Sequence, residues 1–255
     1  MVRVSDLHVH RYGPADGPSV LALHGLTGHG RRWEALAAAL PEVRVVAPDL
    51  RGHGRSTALP PWTFETVVDD VLPLLDDTPA VVVGHSFGAA VALHLAHRRP
   101  ELVRRLVLLD PAIAVDPAML LDIAESTLAA PDYPDVEAAR LDKLHTAWAD
   151  VAPSLLAAEL DEHLAPTAAG RVGWRMNLPA VVSFWGQLAR ELVLPPAGLP
   201  TVLVHALKSP LVTPRLRAAL AERLGEDLTV HEFDCDHMVA QARPAETAAV
   251  VRAAL

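Results

Sequence analysis

A chain of 255 residues, 51% hydrophobic and with a mean hydropathy of +0.24, can bury a large core and is too apolar to be disordered. Its formal net charge of −9 argues against a nucleic-acid partner, which needs a basic footprint. The single cysteine, Cys235, rules out an internal disulfide, and no apolar stretch is long enough to span a membrane.

The opening Met1-Val2-Arg3-Val4-Ser5-Asp6 carries no apolar signal region, so the expectation is a soluble, cytoplasmic protein without stable membrane insertion. Residues 4–12 alternate loosely and run into Gly13-Pro14-Ala15-Asp16-Gly17-Pro18, which predicts a hairpin or the edge of a sheet. Residues 19–23 form a short apolar strand leading into His24-Gly25-Leu26-Thr27-Gly28-His29-Gly30, and an Ala-rich helix follows over about 32–40. The strand at 43–47 opens into Pro48-Asp49-Leu50-Arg51-Gly52-His53-Gly54-Arg55-Ser56, a loop read as mostly structural. A helix over 63–75 gathers Val67, Val68, Val71, Leu72 and Leu75 on one side.

Next comes Val81-Val82-Val83-Gly84-His85-Ser86-Phe87-Gly88-Ala89-Ala90, a buried strand, a tight turn and the start of an Ala-rich helix. A Gly-x-Ser-x-Gly pattern alone is weak, but strand-before and helix-after are the context of a nucleophile elbow. Such a turn lifts the Ser86 hydroxyl out of the sheet, and side chains at Gly84 and Gly88 would clash within it. It also leaves backbone N–H groups at a helix N-terminus, where an oxyanion can be held. A serine hydroxyl still needs a base to take its proton. The strand at 102–109 ends at Asp110-Pro111.

From 112 to about 198 no strand is evident, and helical runs occur around 118–129, 136–149 and 155–164. Aromatics concentrate between Trp174 and Trp185. This segment, 112–198, reads as an inserted helical cap, and 1–111 with 199–255 as the core domain. Strands resume at 201–206 and 228–233, with helices at about 214–224 and 244–254. Strands alternating with helices predict an α/β fold, a mostly parallel sheet with helices on both faces. Ser86, the His24-Gly25 loop, Asp110 and His237 would all sit at strand carboxyl ends, where chemistry gathers in such sheets. Histidine suits proton transfer at neutral pH, and His237 follows the last strand.

His24-Gly25-Leu26-Thr27-Gly28, the loop at 49–56, Gly84-His85-Ser86-Phe87-Gly88 and the late Asp236-His237 together resemble the α/β-hydrolase family, specifically its small bacterial esterases and lipases. The resemblance covers nearly the whole chain outside the cap and implies a sheet of the eight-stranded type. It implies Ser86 as nucleophile, His237 as general base, and an oxyanion hole from the backbone N–H groups of Leu26 and Phe87. His24 and His53 resemble structural positions beside the site. The chain departs from the family where the acid usually lies, after the strand that follows the cap. Lys208 stands there, and a cation cannot orient and stabilise an imidazolium. Some members carry the acid one strand earlier, at the place of Asp110, which is favoured here. Asp234 and Asp236 are rivals, and a dyad without acid is a further alternative.

The expected activity is hydrolysis of small-molecule carboxylic esters of short to medium acyl chain through an acyl-enzyme. His85, Trp174, Trp185, Leu211 and Met238, with Met176 and Phe184, are candidate pocket residues, although core packing explains any one of them. No metal-ligand spacing or dinucleotide fingerprint is present, so no cofactor is expected. Carbon–carbon bond hydrolysis, a lactonase or cyclase step, and a non-catalytic binding protein remain as alternatives on the same fold.

Overall fold

The computed structural model describes residues 7–168 and 170–255; residues 4–6 of the predicted first strand lie outside them. Along the chain run β1 (Val9–Tyr12), β2 (Ser19–Leu23), α1 (Glu34–Ala38), β3 (Arg44–Pro48), α2 (Phe64–Val71), β4 (Ala80–His85), α3 (Phe87–Arg98) and β5 (Val103–Leu109). Then come α4 (Pro117–Ala129), α5 (Val136–Leu144), α6 (Pro153–His163), the short strands β6 (Leu164–Pro166) and β7 (Val172–Trp174), and α7 (Leu178–Leu188). The chain closes with β8 (Thr201–Ala206), α8 (Pro214–Leu224), β9 (Leu228–Phe233), α9 (Val239–Ala242) and α10 (Pro244–Ala254).

Seven strands among the described residues form one sheet in the order β1-β3-β2-β4-β5-β8-β9. Every pairing is parallel except β1 with β3, so β1 is the edge strand rather than half of a hairpin. The central runs Val20–Leu23, Val81–Val83 and Leu106–Leu109 are apolar at every position because both faces are covered there. Side chains alternate between two cores. Leu21, Leu23, Val82, Leu106, Leu108 and Leu203 pack with α2, α3 and α8. Val20, Ala22, Val81, Val83, Val107 and Val204 pack with Trp33, α1 and α10. Each such Val or Leu side chain is worth roughly 1.5–3 kcal/mol on burial.

Helix ends follow local chemistry. The Thr63 side chain accepts from the Thr66 amide to start α2, and Thr213 does the same for α8 through Leu216. The expected helix over 32–40 is shorter: a 3-10 turn at Gly30–Trp33 precedes α1. The helix expected to reach residue 149 ends at Leu144, and residues 145–150 continue as turns.

Between β5 and β8 the chain departs from the purely helical expectation, since β6 and β7 pair antiparallel with Leu164 opposite Trp174. This segment has its own small core of Ala139, Trp148, Val151, Leu156 and Leu160, which closes on Met238 from the loop after β9. The segment therefore packs directly over the carboxyl end of the sheet.

Candidate active site

The turn from β4 into α3 holds Ser86 at φ 54°, ψ −117°, a region that residues with a side chain rarely occupy. Space explains the flanking glycines. A Cβ on Gly84 would stand 2.5 Å from the Gly88 carbonyl oxygen, and one on Gly88 would collide with the Leu23 carbonyl. The Ser86 amide donates to the Leu109 carbonyl at 3.0 Å, and the Ala112 amide donates to the Ser86 carbonyl at 3.3 Å. The elbow is thus tied to the exit of β5.

Asp110 sits at that exit, fully buried, with φ 41°. Its amide donates to the Val204 carbonyl at 2.8 Å, and its Oδ1 accepts from the Ala206 amide at 3.3 Å. Its Oδ2 lies 2.6 Å from Nδ1 of His237. A carboxylate only accepts, so Nδ1 carries the hydrogen and Nε2 is left as an acceptor. The strained backbone of Ser86, Asp110 and Thr27, all at positive φ, is concentrated in the loops around this one spot. Such geometry costs of order 1–3 kcal/mol per residue and persists where surrounding contacts over-determine it.

The amides of Leu26 and Phe87 make no hydrogen bond among the described residues. Phe87 is the first residue of α3, where an N–H has no intrahelical acceptor. The helix dipole adds partial positive charge there.

The neighbouring histidines hold this loop cluster together. His85 donates from Nε2 to the His237 carbonyl at 2.8 Å. Burial, with the His237 ring beside it, pushes His85 well below the ordinary histidine range and keeps it neutral. His24 accepts at Nε2 from the Leu50 amide (2.9 Å), so Nδ1 donates to the Gly25 carbonyl (2.8 Å). Burial also lowers His53 to about 4. Neutral rings at His24 and His53 suit struts beneath the loop, where a charge would be expensive.

The rival acids are engaged elsewhere. Asp236 accepts at Oδ1 from the His237 amide at 2.6 Å, and the Asp234 side chain is 83% exposed. Lys208, at the usual place of the acid, holds Asp150 instead, with Nζ 3.0 Å from both carboxylate oxygens. Cys235 is free and buried, and burial pushes its thiol up to about 11. The loop at 49–56 is structural: Asp49 accepts from the amides of Gly30 (2.7 Å) and Arg55 (2.8 Å). His8, His10 and Asp49 bring ligand-type atoms within 4.8 Å of one another, and each Asp49 oxygen also accepts from one of those amides.

Two cavities meet at Ser86 and His237. The smaller, about 240 Å³, is walled by Met119, Leu120, Ile123, Trp185, Leu188 and Leu211. The larger, about 410 Å³, has the expected residues His85, Trp174, Trp185 and Met238 on its wall, together with Met176. Phe184 lines neither; it is core, its ring centroid 4.8 Å from that of Phe87 and 6.0 Å from that of His53.

Sequence reasoning missed a set of residues on both walls. In the smaller cavity Met119, Leu120 and Ile123 project from one side of α4, at a helical spacing that the sequence does carry. In the larger cavity Arg32, Lys143 and Trp148 appear, with no local signal because they meet only in the folded chain. Arg32 grips Glu159 with two nitrogens, at 2.5 Å to Oε1 and 3.0 Å to Oε2. Burial alone would raise Glu159, but Arg32, Lys143 and His29 outweigh it and hold the carboxyl well below its usual range.

Comparison with known proteins identifies the fold family. The profile of the family described as alpha/beta hydrolase fold matches residues 18–240. The chain is 53% identical over 257 residues to Lipase LipV of Mycobacterium tuberculosis, covering 99% of this chain and 98% of that protein. Among solved structures it resembles E-2-(acetamidomethylene)succinate hydrolase, with a TM-score of 0.80 at 25% identity, covering 97% of this chain and 94% of that one. It also resembles a thioesterase domain from the curacin biosynthetic pathway, with a TM-score of 0.77 at 24% identity over 96% of this chain and 94% of that one.

Proposed function

The chain belongs to the alpha/beta hydrolase fold family, and we propose that it works as an ester hydrolase through a triad of Ser86, His237 and Asp110. Ester hydrolysis is the activity of a protein with a lipase as a full-length relative at 53% identity. The observation that carries the assignment of roles is the 2.6 Å contact between Asp110 Oδ2 and His237 Nδ1, beside the strained Ser86 turn.

In this reading His237 Nε2 takes the Ser86 proton as Oγ attacks the ester carbonyl. Asp110 fixes the ring's tautomer and stabilises the imidazolium that forms. The developing oxyanion is met by the Leu26 and Phe87 amides, which need no reorganisation to receive it. His237 then protonates the departing alcohol, and water activated by the same ring releases the acid from Ser86. His85 is a positioning residue, since its bond to the His237 carbonyl sets the base loop against the elbow.

The smaller, apolar cavity suits the acyl chain, and its volume of about 240 Å³ suits short to medium lengths. The segment 112–198 acts as the cap, because α4 and α7 supply that wall. The Asp110–His237 contact favours a working hydrolase over a binding protein that has lost its acid. No helix among the described residues is long and apolar enough to cross a membrane. A cytoplasmic setting is part of this reading, since the one cysteine is free and no disulfide calls for an oxidising compartment.

The test is hydrolysis of p-nitrophenyl esters of increasing acyl length, with Ser86→Ala as control and phosphonate labelling of Ser86. Turnover that survives in Ser86→Ala, or a serine inert to the phosphonate, would end the assignment.

A further inference from the structure

One charge on the wall of the larger cavity has only a distant, shared counterpart. Lys143 projects from α5 with its side chain only 10% exposed. Its Nζ stands 4.3 Å from the ring centroid of Trp174 and 4.7 Å from that of Trp148, a box of two indoles. An ammonium has three hydrogens to donate. Among the described residues its one hydrogen bond is to Glu159 Oε1, long at 3.5 Å.

Glu159 is shared among several donors. Arg32 takes both its oxygens, and His29 Nε2 reaches Oε2 at 2.9 Å. Lys143 is therefore a second cation against a single carboxylate. His163, buried beside this cluster with both ring nitrogens unpartnered, is held neutral by burial and cannot compensate. Asp142 also borders the cavity, but at its exposed rim, where it accepts from the Tyr133 hydroxyl at 2.7 Å and solvent screens it.

We propose that the larger cavity binds the alcohol arm of an ester that carries an anionic group, a carboxylate in its simplest form, with Lys143 as its partner. The inference rests on the Ser86 hydrolase reading for the word ester, and on the cavity itself for the anion. The cage between Trp148 and Trp174 is filled by the lysine, so a cationic ligand finds no place there. An anion meets the spare donors of Nζ and neutralises the surplus charge, which is the strong form of hydrogen bond. The alcohol arm belongs here because the apolar cavity takes the acyl chain and because the alcohol leaves first, through the more polar space.

The substrates for the test are 4-carboxyphenyl butyrate and its neutral counterpart 4-carbamoylphenyl butyrate. The ratio of their kcat/KM values is measured in the wild type, in Lys143→Met, which keeps the stem between the indoles, and in Lys143→Arg, which keeps the charge. Comparing ratios between proteins cancels the intrinsic difference between the two leaving groups. The ratio should favour the anionic ester by about tenfold or more in the wild type relative to Lys143→Met, and Lys143→Arg should recover most of it. Equal ratios in wild type and Lys143→Met overturn the proposal. So does a preference that appears only when the carboxylate is placed on the acyl side, as in a succinate half-ester.

A second readout needs no turnover. Calorimetric titration of Ser86→Ala with the same two esters should give tighter binding of the anionic one by about tenfold, lost on adding Lys143→Met. If this discrimination is seen while the wild type hydrolyses neither ester, the hydrolase reading fails and the anion site stands. If both esters are hydrolysed alike and bound alike, the anion site fails and the hydrolase reading stands. Should Lys143→Met not fold, the binding ratio of Ser86→Ala alone decides, since equal affinity for the two esters overturns the site.

Discussion

Lys208 and Asp150 join the loop after β8 to the segment after α5: Nζ lies 3.0 Å from each carboxylate oxygen. Asp150 also accepts from the Asp236 amide at 2.9 Å, and the Asp236 carboxylate accepts from the His237 amide at 2.6 Å. The lysine at the family's usual acid position is thus one end of a polar relay that ends on the backbone of His237. Lys208→Ala should lower turnover by no more than about threefold, because exposed pairs contribute little. The effect should shrink further at high salt. Steady-state kinetics with p-nitrophenyl butyrate at two ionic strengths measures both, and a collapse of activity would mean that Lys208 does chemistry.

Ser86→Ala should remove ester hydrolysis, a loss on the order of 10⁶ in turnover by comparison with other serine hydrolases. The circular dichroism spectrum should be unchanged, since alanine keeps the Cβ and the turn's backbone demand stays the same. Retention of a tenth of the wild-type rate would show that another group is the nucleophile.

Asp110→Asn should favour the wrong tautomer of His237, since an amide can donate to Nδ1 where the carboxylate only accepts. The same change in a serine protease costs about 10⁴ in turnover. A variant of near-normal rate would defeat the role and redirect attention to Asp236.

The preference for an anionic ester should fade as pH rises. Burial lowers Lys143 to about 8, against the opposing pull of Glu159. The ammonium is charged below that value and lost above it, so the kcat/KM ratio of anionic to neutral ester should fall between about pH 7 and pH 9. The charged groups facing Lys143 are Arg32 and Glu159, with Asp142 at the rim. His29 and His163 complete the cluster, and His163 is held neutral throughout by burial. A ratio that stays flat across that window would separate the preference from the lysine.

Chain-length selectivity should follow the smaller cavity. Ile123→Ala opens its wall and should move the best p-nitrophenyl ester to a longer acyl chain, while the wild type prefers short to medium chains. A wild-type profile that climbs steadily to long-chain triglycerides, with a jump at a lipid interface, would contradict this.

Much of the core was legible in the sequence because its determinants are short-range. Apolar runs such as 81–83 mark strands buried on both faces, and Gly84 and Gly88 answer a steric demand set within a few residues of Ser86. Asp110 was singled out by the resemblance to family members that carry the acid at the end of this strand, and the pairing of β4 with β5 sets that end beside the elbow. What required the tertiary structure was every pairing made across long separations. Asp110 and His237 are 127 residues apart, Arg32 and Glu159 likewise 127, and Lys208 and Asp150 are 58 apart. No periodicity records such partners. Nothing in the sequence around Lys143 marks it, and only the folding of α5 places it between Trp148 and Trp174 as a buried cation that shares its carboxylate with Arg32. Local sterics and hydrophobic period act along the chain, whereas charge balance in a cavity is decided by whatever the fold brings within a few ångströms.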